Sequence, residues 1–169
     1  THSPYDYPKI FEEIEWPVIE KQYVNSGHYT DIAIGLFMEE ARQQDWYDST
    51  LFIFVADHSH TSYKNHRIDS FDHHKIPMLI YGEPLQDSLR GKTFDKICGN
   101  TDLPAMILAQ LGQSYNEFFW SKDMFNQCYN PFAFFEINNG VGWKTPEGEF
   151  VYYNSGNFVK NTLPENVRD

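Results

Sequence analysis

The chain holds 169 residues, 41% hydrophobic and 17% aromatic, with 13 Lys+Arg set against 24 Asp+Glu for a formal charge of −11. That apolar content is enough to offset the entropy of ordering a domain, which excludes a disordered acidic tail, and no run approaches the roughly 18 apolar residues of a membrane span. An acidic balance without clustered Lys or Arg excludes a broad nucleic-acid footprint, so no nucleic-acid partner is expected.

Residues 1–24 are rich in proline and aromatics (Pro4, Tyr5, Tyr7, Pro8, Phe11, Trp16, Pro17) without a sustained period, and predict a lead-in loop with at most one short helical turn. From Ser26 to Gln44, Ile34, Phe37, Met38 and Ala41 recur at helical spacing, with Glu39, Glu40 and Arg42 opposite, which predicts an amphipathic helix. Residues 45–49 break it, and the run Thr50 to Ala56 follows, rich in β-branched and aromatic side chains. Continuous rather than alternating hydrophobicity predicts a strand covered on both faces, as in a parallel sheet. A polar insert, Asp57 to Lys75, leads to a second such run, Ile76 to Tyr81, stopped by Gly82. Thr101 or Asp102 then caps a helix with Pro104 in its first turn and Gly112 at its end. After an aromatic connector, Asn138-Asn139-Gly140 and Pro146-Glu147-Gly148 separate aromatic runs at 132–137, 141–143 and 149–154, which predicts a small antiparallel meander. Alternating helices and buried strands followed by a meander give an α/β class, with an α/β part at 1–115 and a β-rich part at 116–169. Cys98 and Cys128 are too few for a disulfide scaffold and are expected to be ordinary buried or half-buried thiols. The chain starts at Thr1 without a methionine, so it is expected to be cut from something longer.

The residues that carry chemistry are Asp57-His58-Ser59-His60, directly after the most buried strand. Ligands of open α/β sheets bind beyond the carboxyl ends of strands, where side chains leave a rigid backbone for a crevice. A carboxylate oxygen and an imidazole nitrogen there can hold a divalent cation such as Zn or Mn. Neighbours on a straight strand point to opposite faces, so both reach one ion only if the backbone turns at that place.

In order along most of the chain, several blocks resemble the alkaline phosphatase/sulfatase superfamily, and within it the lipoteichoic acid synthase-like branch. They are Thr1-His2-Ser3-Pro4-Tyr5, Tyr23-Val24-Asn25, Tyr29-Thr30-Asp31, Leu51 to His58 (LFIFVADH), His74 to Tyr81 (HKIPMLIY) and Thr101-Asp102-Leu103-Pro104. The resemblance implies the alkaline phosphatase-like fold, a mostly parallel sheet flanked by helices, with this chain as the C-terminal part of the catalytic domain. It implies that Asp57 and His58 bind the divalent metal (Mn, Zn, Mg or Ca) and that His2 contacts the phosphate or sulfate of the substrate. His74 and Lys75 compete for a second place facing the bound oxyanion, with His74 favoured. His60 departs from the family's glycine-containing turn and is expected behind the ligands or in solvent. His66 and His73 are expected at the surface, and His28 and Asp31 at the start of the first helix.

The family's nucleophile, a Thr, Ser or formylglycine-forming Cys, belongs near the start of the domain, and no residue here matches it. The resemblance therefore implies a fragment without a catalytic nucleophile, inactive alone. Its parent is expected to be a cell-envelope phosphoglycerol or phosphoethanolamine transferase acting on a lipid- or glycan-linked ester. It would work at the extracytoplasmic face of the membrane or in the periplasm, anchored by a membrane segment outside this sequence, and the exposed apolar edge of a divided sheet could pair copies of the fragment. Two further readings are a sulfatase of the same fold and a non-catalytic module whose aromatic C-terminal part binds a glycan or partner.

Overall fold

The computed structural model describes residues 3–18, 20–60, 66–156 and 158–165. It contains α1 (Lys21–Ala41), β1 (Phe52–Val55), β2 (Met78–Tyr81), α2 (Leu103–Gln110), β3 (Ala133–Ile137), β4 (Gly140–Thr145), β5 (Gly148–Tyr153) and β6 (Phe158–Asn161). Two compact units form: one from Thr1–Phe54 and Leu79–Arg90, the other from Val55–His60, His66–Met78 and Gly91–Asp169. No helix among the described residues is long and apolar enough to cross a membrane.

In the first unit α1 begins a turn earlier than the apolar period predicts. The cause is a tertiary clamp: the buried Asn25 side chain accepts from the Ile14 N–H at 2.7 Å and donates to the Ile14 carbonyl at 3.0 Å and to the Lys21 carbonyl at 2.9 Å. The two bonds to Ile14 anchor Asn25 to chain outside the helix, and this tertiary anchoring overrides its weak propensity. His28 and Asp31 consequently lie inside α1 rather than in its first turn; the His28 ring packs edge-on against Phe11 at 4.7 Å, and Asp31 is exposed. At the other end of the helix, Met38 and Ala41 are buried with Phe52 of β1, and Tyr47 and Phe54 pack against that cluster.

β1 and β2 form a two-stranded sheet, and it is not the expected parallel one. Ala56, just past β1, donates to the carbonyl of Pro77, just before β2, at 3.4 Å. At the other end Gly82, just past β2, lies against Thr50, so the strands run in opposite directions. Continuous hydrophobicity records that a strand is meant to be covered, but carries no information on its direction. Gly82 has φ +144°, and a Cβ there would collide with the Thr50 carbonyl oxygen, so only glycine allows this close approach. The expected two-sided cover is also incomplete: Leu79 is 60% exposed and Val55 and Tyr81 are exposed as well.

In the second unit β3 to β6 form a four-stranded antiparallel meander, as the turn residues predict. Asn139 takes φ +62° in the two-residue loop that pairs Ile137 with Gly140, a left-handed conformation that asparagine tolerates. One sheet face buries Ala133, Phe135 and Val151. Gly142 opposite Phe135 leaves room for its ring, which a Cβ would strike. Both cysteines are free, Cys98 half-buried and Cys128 exposed.

Candidate functional site

Past Val55 the chain bends at Asp57 and His58, the turn that convergence of adjacent side chains requires. The Asp57 Oδ1 accepts from the His58 N–H at 2.9 Å, which fixes the carboxyl group, and Asp57 Oδ2 stands 3.6 Å from His58 Nε2. Two ligands of a tetrahedral cation at roughly 2.0–2.1 Å are about 3.3 Å apart, so this pair is within a few tenths of an ångström of sharing an ion. The His58 Nδ1 lies 2.8 Å from the Ser59 carbonyl, which assigns a proton to Nδ1 and leaves Nε2 as the ring nitrogen that faces Asp57. Both side chains are open, with 87% of Asp57 and 62% of His58 exposed. The bond from the His58 N–H holds the Asp57 carboxyl below its usual range, so it is ionised and ready as a hard ligand.

A carboxylate oxygen and a neutral imidazole nitrogen fit a divalent cation as a donor set, but two donors are part of a site. No three His, Cys, Asp or Glu side chains gather to hold a metal among the described residues. His60 is half-buried, and His2, expected to touch the ester, lies outside the described residues.

The backbone under the pair is held from the far side. Asn100 Nδ2 donates to the Asp57 carbonyl at 3.3 Å. Asn100 opens the 3-10 turn Asn100–Asp102 that leads into α2, and Asp102 anchors that turn. This aspartate is only 1% exposed; it accepts from the Gly99 N–H at 3.0 Å, the Lys122 N–H at 2.9 Å and the Lys122 ammonium at 2.6 Å. Neither role of Asn100 and Asp102 is visible in residue spacing, though both stand in or beside the Thr101-Asp102-Leu103-Pro104 block.

The segment bearing His74 and Lys75 is pinned separately. Asp69, buried, takes a forked bond from Arg67 at 2.8 and 2.5 Å and a longer one from the Tyr153 hydroxyl of β5 at 3.4 Å. That fixes the 3-10 turn Phe71–His74 against the meander. His74 lies stacked on Phe135 at 3.8 Å with 15° between the rings, and its Nε2 sits 2.7 Å from the Ile68 carbonyl. Burial pushes the His74 pKa down, so the ring is neutral at neutral pH, with Nε2–H donating to Ile68 and Nδ1 left as an acceptor. Lys75 is exposed and pairs with Asp72 at 2.6 Å. His66 is exposed, whereas His73 is half-buried with its ring edge-on to His74 at 5.1 Å.

Residues 1–113 match the family model described as Sulfatase. Among solved structures, the chain is similar to a protein in the alkaline phosphatase superfamily from Vibrio parahaemolyticus, with 24% identity and a TM-score of 0.76 over 98% of this chain. The match takes up 43% of that chain, so the sequence here spans less than half the length of the structure it resembles.

Proposed function

The chain belongs to the sulfatase family, and from that membership we propose that it is part of a metal-dependent enzyme that transfers or hydrolyses phosphate or sulfate esters. The observation that carries this reading is the 3.6 Å approach of Asp57 Oδ2 and His58 Nε2 at the lip of β1. Asp57 and His58 hold the divalent cation there, which when bound supplies positive charge to the attacking and transferring oxygens. The remaining ligands and the nucleophile come from sequence outside this chain, the uncovered strands β1 and β2 are packed by it, and the isolated 169 residues turn over no ester.

Of the two residues placed before the second buried run, we assign the ester contact to Lys75. A neutral His74 whose N–H is spent on Ile68 has only an acceptor to offer an oxyanion, whereas the Lys75 ammonium leaves an exposed ion pair at small cost. His74 then positions the turn. The substrate we favour is a lipid- or glycan-linked phosphodiester at the outer face of the cell membrane, of the phosphoglycerol or phosphoethanolamine kind, because the paired blocks LFIFVADH and HKIPMLIY resemble that branch.

The test is turnover by the full-length protein of p-nitrophenyl phosphate, bis-p-nitrophenyl phosphate and p-nitrophenyl sulfate. A phosphodiester turned over, abolished by chelator and by Asp57→Ala, is expected. Preference for the sulfate ester would make it a sulfatase, and chelator-resistant turnover would remove the metal from the mechanism.

A further inference from the structure

The two faces of the meander are unlike. The register puts Phe134, Trp143 and Phe150 in one row across β3, β4 and β5, on the face opposite the buried Ala133, Phe135 and Val151. An antiparallel sheet ordinarily turns polar residues away from its buried face, so a row of large, half-buried aromatic rings there is unexpected. Trp120, from the connector ahead of β3, extends it: its ring is 6.0 Å from Phe134 and 6.3 Å from Trp143, tilted 65° and 77° to them, and the residue is 62% exposed. Trp143 and Phe134 by contrast lie nearly parallel, 13° apart. The parallel pair and the upright Trp120 border a hollow of about 610 Å³, and Glu136, Asn139 and Asn154 supply its polar groups.

We propose that this hollow is a carbohydrate-binding site. Its volume is that of a small-molecule site, and its lining selects among ligands. Ring faces carry negative charge density and attract the C–H-rich faces of a sugar. The amides of Asn139 and Asn154 can both donate to and accept from hydroxyls, and the Glu136 carboxylate accepts from them. No Lys or Arg lines the hollow among the described residues, so a phosphate or sulfate would meet only the like charge of Glu136. A purely apolar ligand would strip water from that carboxylate without replacing it. A quaternary ammonium would meet the ring faces and Glu136 but would leave the amides of Asn139 and Asn154 without a partner. A neutral, hydroxylated ring satisfies the whole set. The site is separate from the Asp57 and His58 pair, and sugar binding does not depend on the ester chemistry.

The test titrates the full-length protein with cellotriose, maltotriose, chitotriose, choline and inorganic sulfate, read by calorimetry and tryptophan fluorescence, and repeats the titrations in an Asp57→Ala background. At least one trisaccharide is expected to bind with unchanged affinity in that background. Trp120→Ala, at an exposed position, should weaken it at least about tenfold, and Asn154→Ala should weaken it with the fold intact by circular dichroism. Binding of choline in preference to every sugar, sugar binding indifferent to Trp120→Ala and Asn154→Ala, or no binding by any probe would each overturn the proposal.

Discussion

Two aspartates, 45 positions apart in sequence, show how the same side chain is put to opposite ends. Asp102 is 1% exposed and accepts from two backbone N–H groups and the Lys122 ammonium. Asp57 is 87% exposed, accepts one local backbone bond, and turns its second oxygen toward an imidazole nitrogen. A carboxylate saturated by its own protein has nothing to offer a ligand, and its value is structural. One that is ionised, oriented and open can take a ligand from outside. Asn100 joins the two, since it belongs to the turn that Asp102 anchors and holds the Asp57 backbone.

The comparison can be broken at either aspartate. In the full-length protein, Asp57→Ala is expected to lower turnover at least about a thousandfold, roughly 4 kcal/mol of lost transition-state stabilisation. The same variant without metal should unfold in urea within about 0.5 kcal/mol of wild type. Asp102→Ala should do the reverse: removing one partner of a buried ion pair costs about 3–5 kcal/mol of folding free energy, so a loss under about 1 kcal/mol in urea titration would contradict a structural role. Asn100→Ala sharpens the link, with metal affinity weakened about tenfold and little change in urea midpoint; an unchanged affinity would detach the two aspartates from each other.

The smallest effect is in pH. Burial lowers the folded-state pKa of His74 below its ordinary value of about 6.5. The unfolded chain therefore takes up the proton first as pH falls through about 6.5, so the stability His74 contributes is present above that pH and is lost progressively below it. Asp57 and Asp69 are also held down, but carboxylates titrate near and below about 4 and leave this window clear. Unfolding midpoints measured between pH 7.5 and 5.5 should fall in wild type and flatten in His74→Gln; parallel curves would refute the burial argument.

Local chemistry made parts of this molecule readable from the sequence. Pro104 and Gly112 bracket α2, and Asn139 and Pro146 mark the hairpins, because proline fixes its own φ and Gly112 and Asn139 take a positive φ. Asp57 and His58 stand out in the sequence because they follow a strongly apolar run, and the structure brings their side chains within 3.6 Å. What long-range contacts decide stayed hidden. The antiparallel direction of β1 and β2 depends on which strand lies alongside. The early start of α1 depends on Ile14, and β6 is a four-residue strand whose pairing is set by β5. The contacts of His74 with Phe135 and Ile68, on which the proposal of Lys75 over His74 rests, are connected to neither residue by anything in the local pattern.

Metal content is the most direct measurement. Full-length protein purified without chelator and analysed by inductively coupled plasma mass spectrometry should carry about one divalent ion or more per chain, as a folded site with deprotonated ligands requires. Asp57→Ala and His58→Ala should each lose it while keeping the wild-type circular dichroism spectrum. Equal metal in wild type and both variants, or none in any, would contradict a shared cation between the carboxylate and the imidazole.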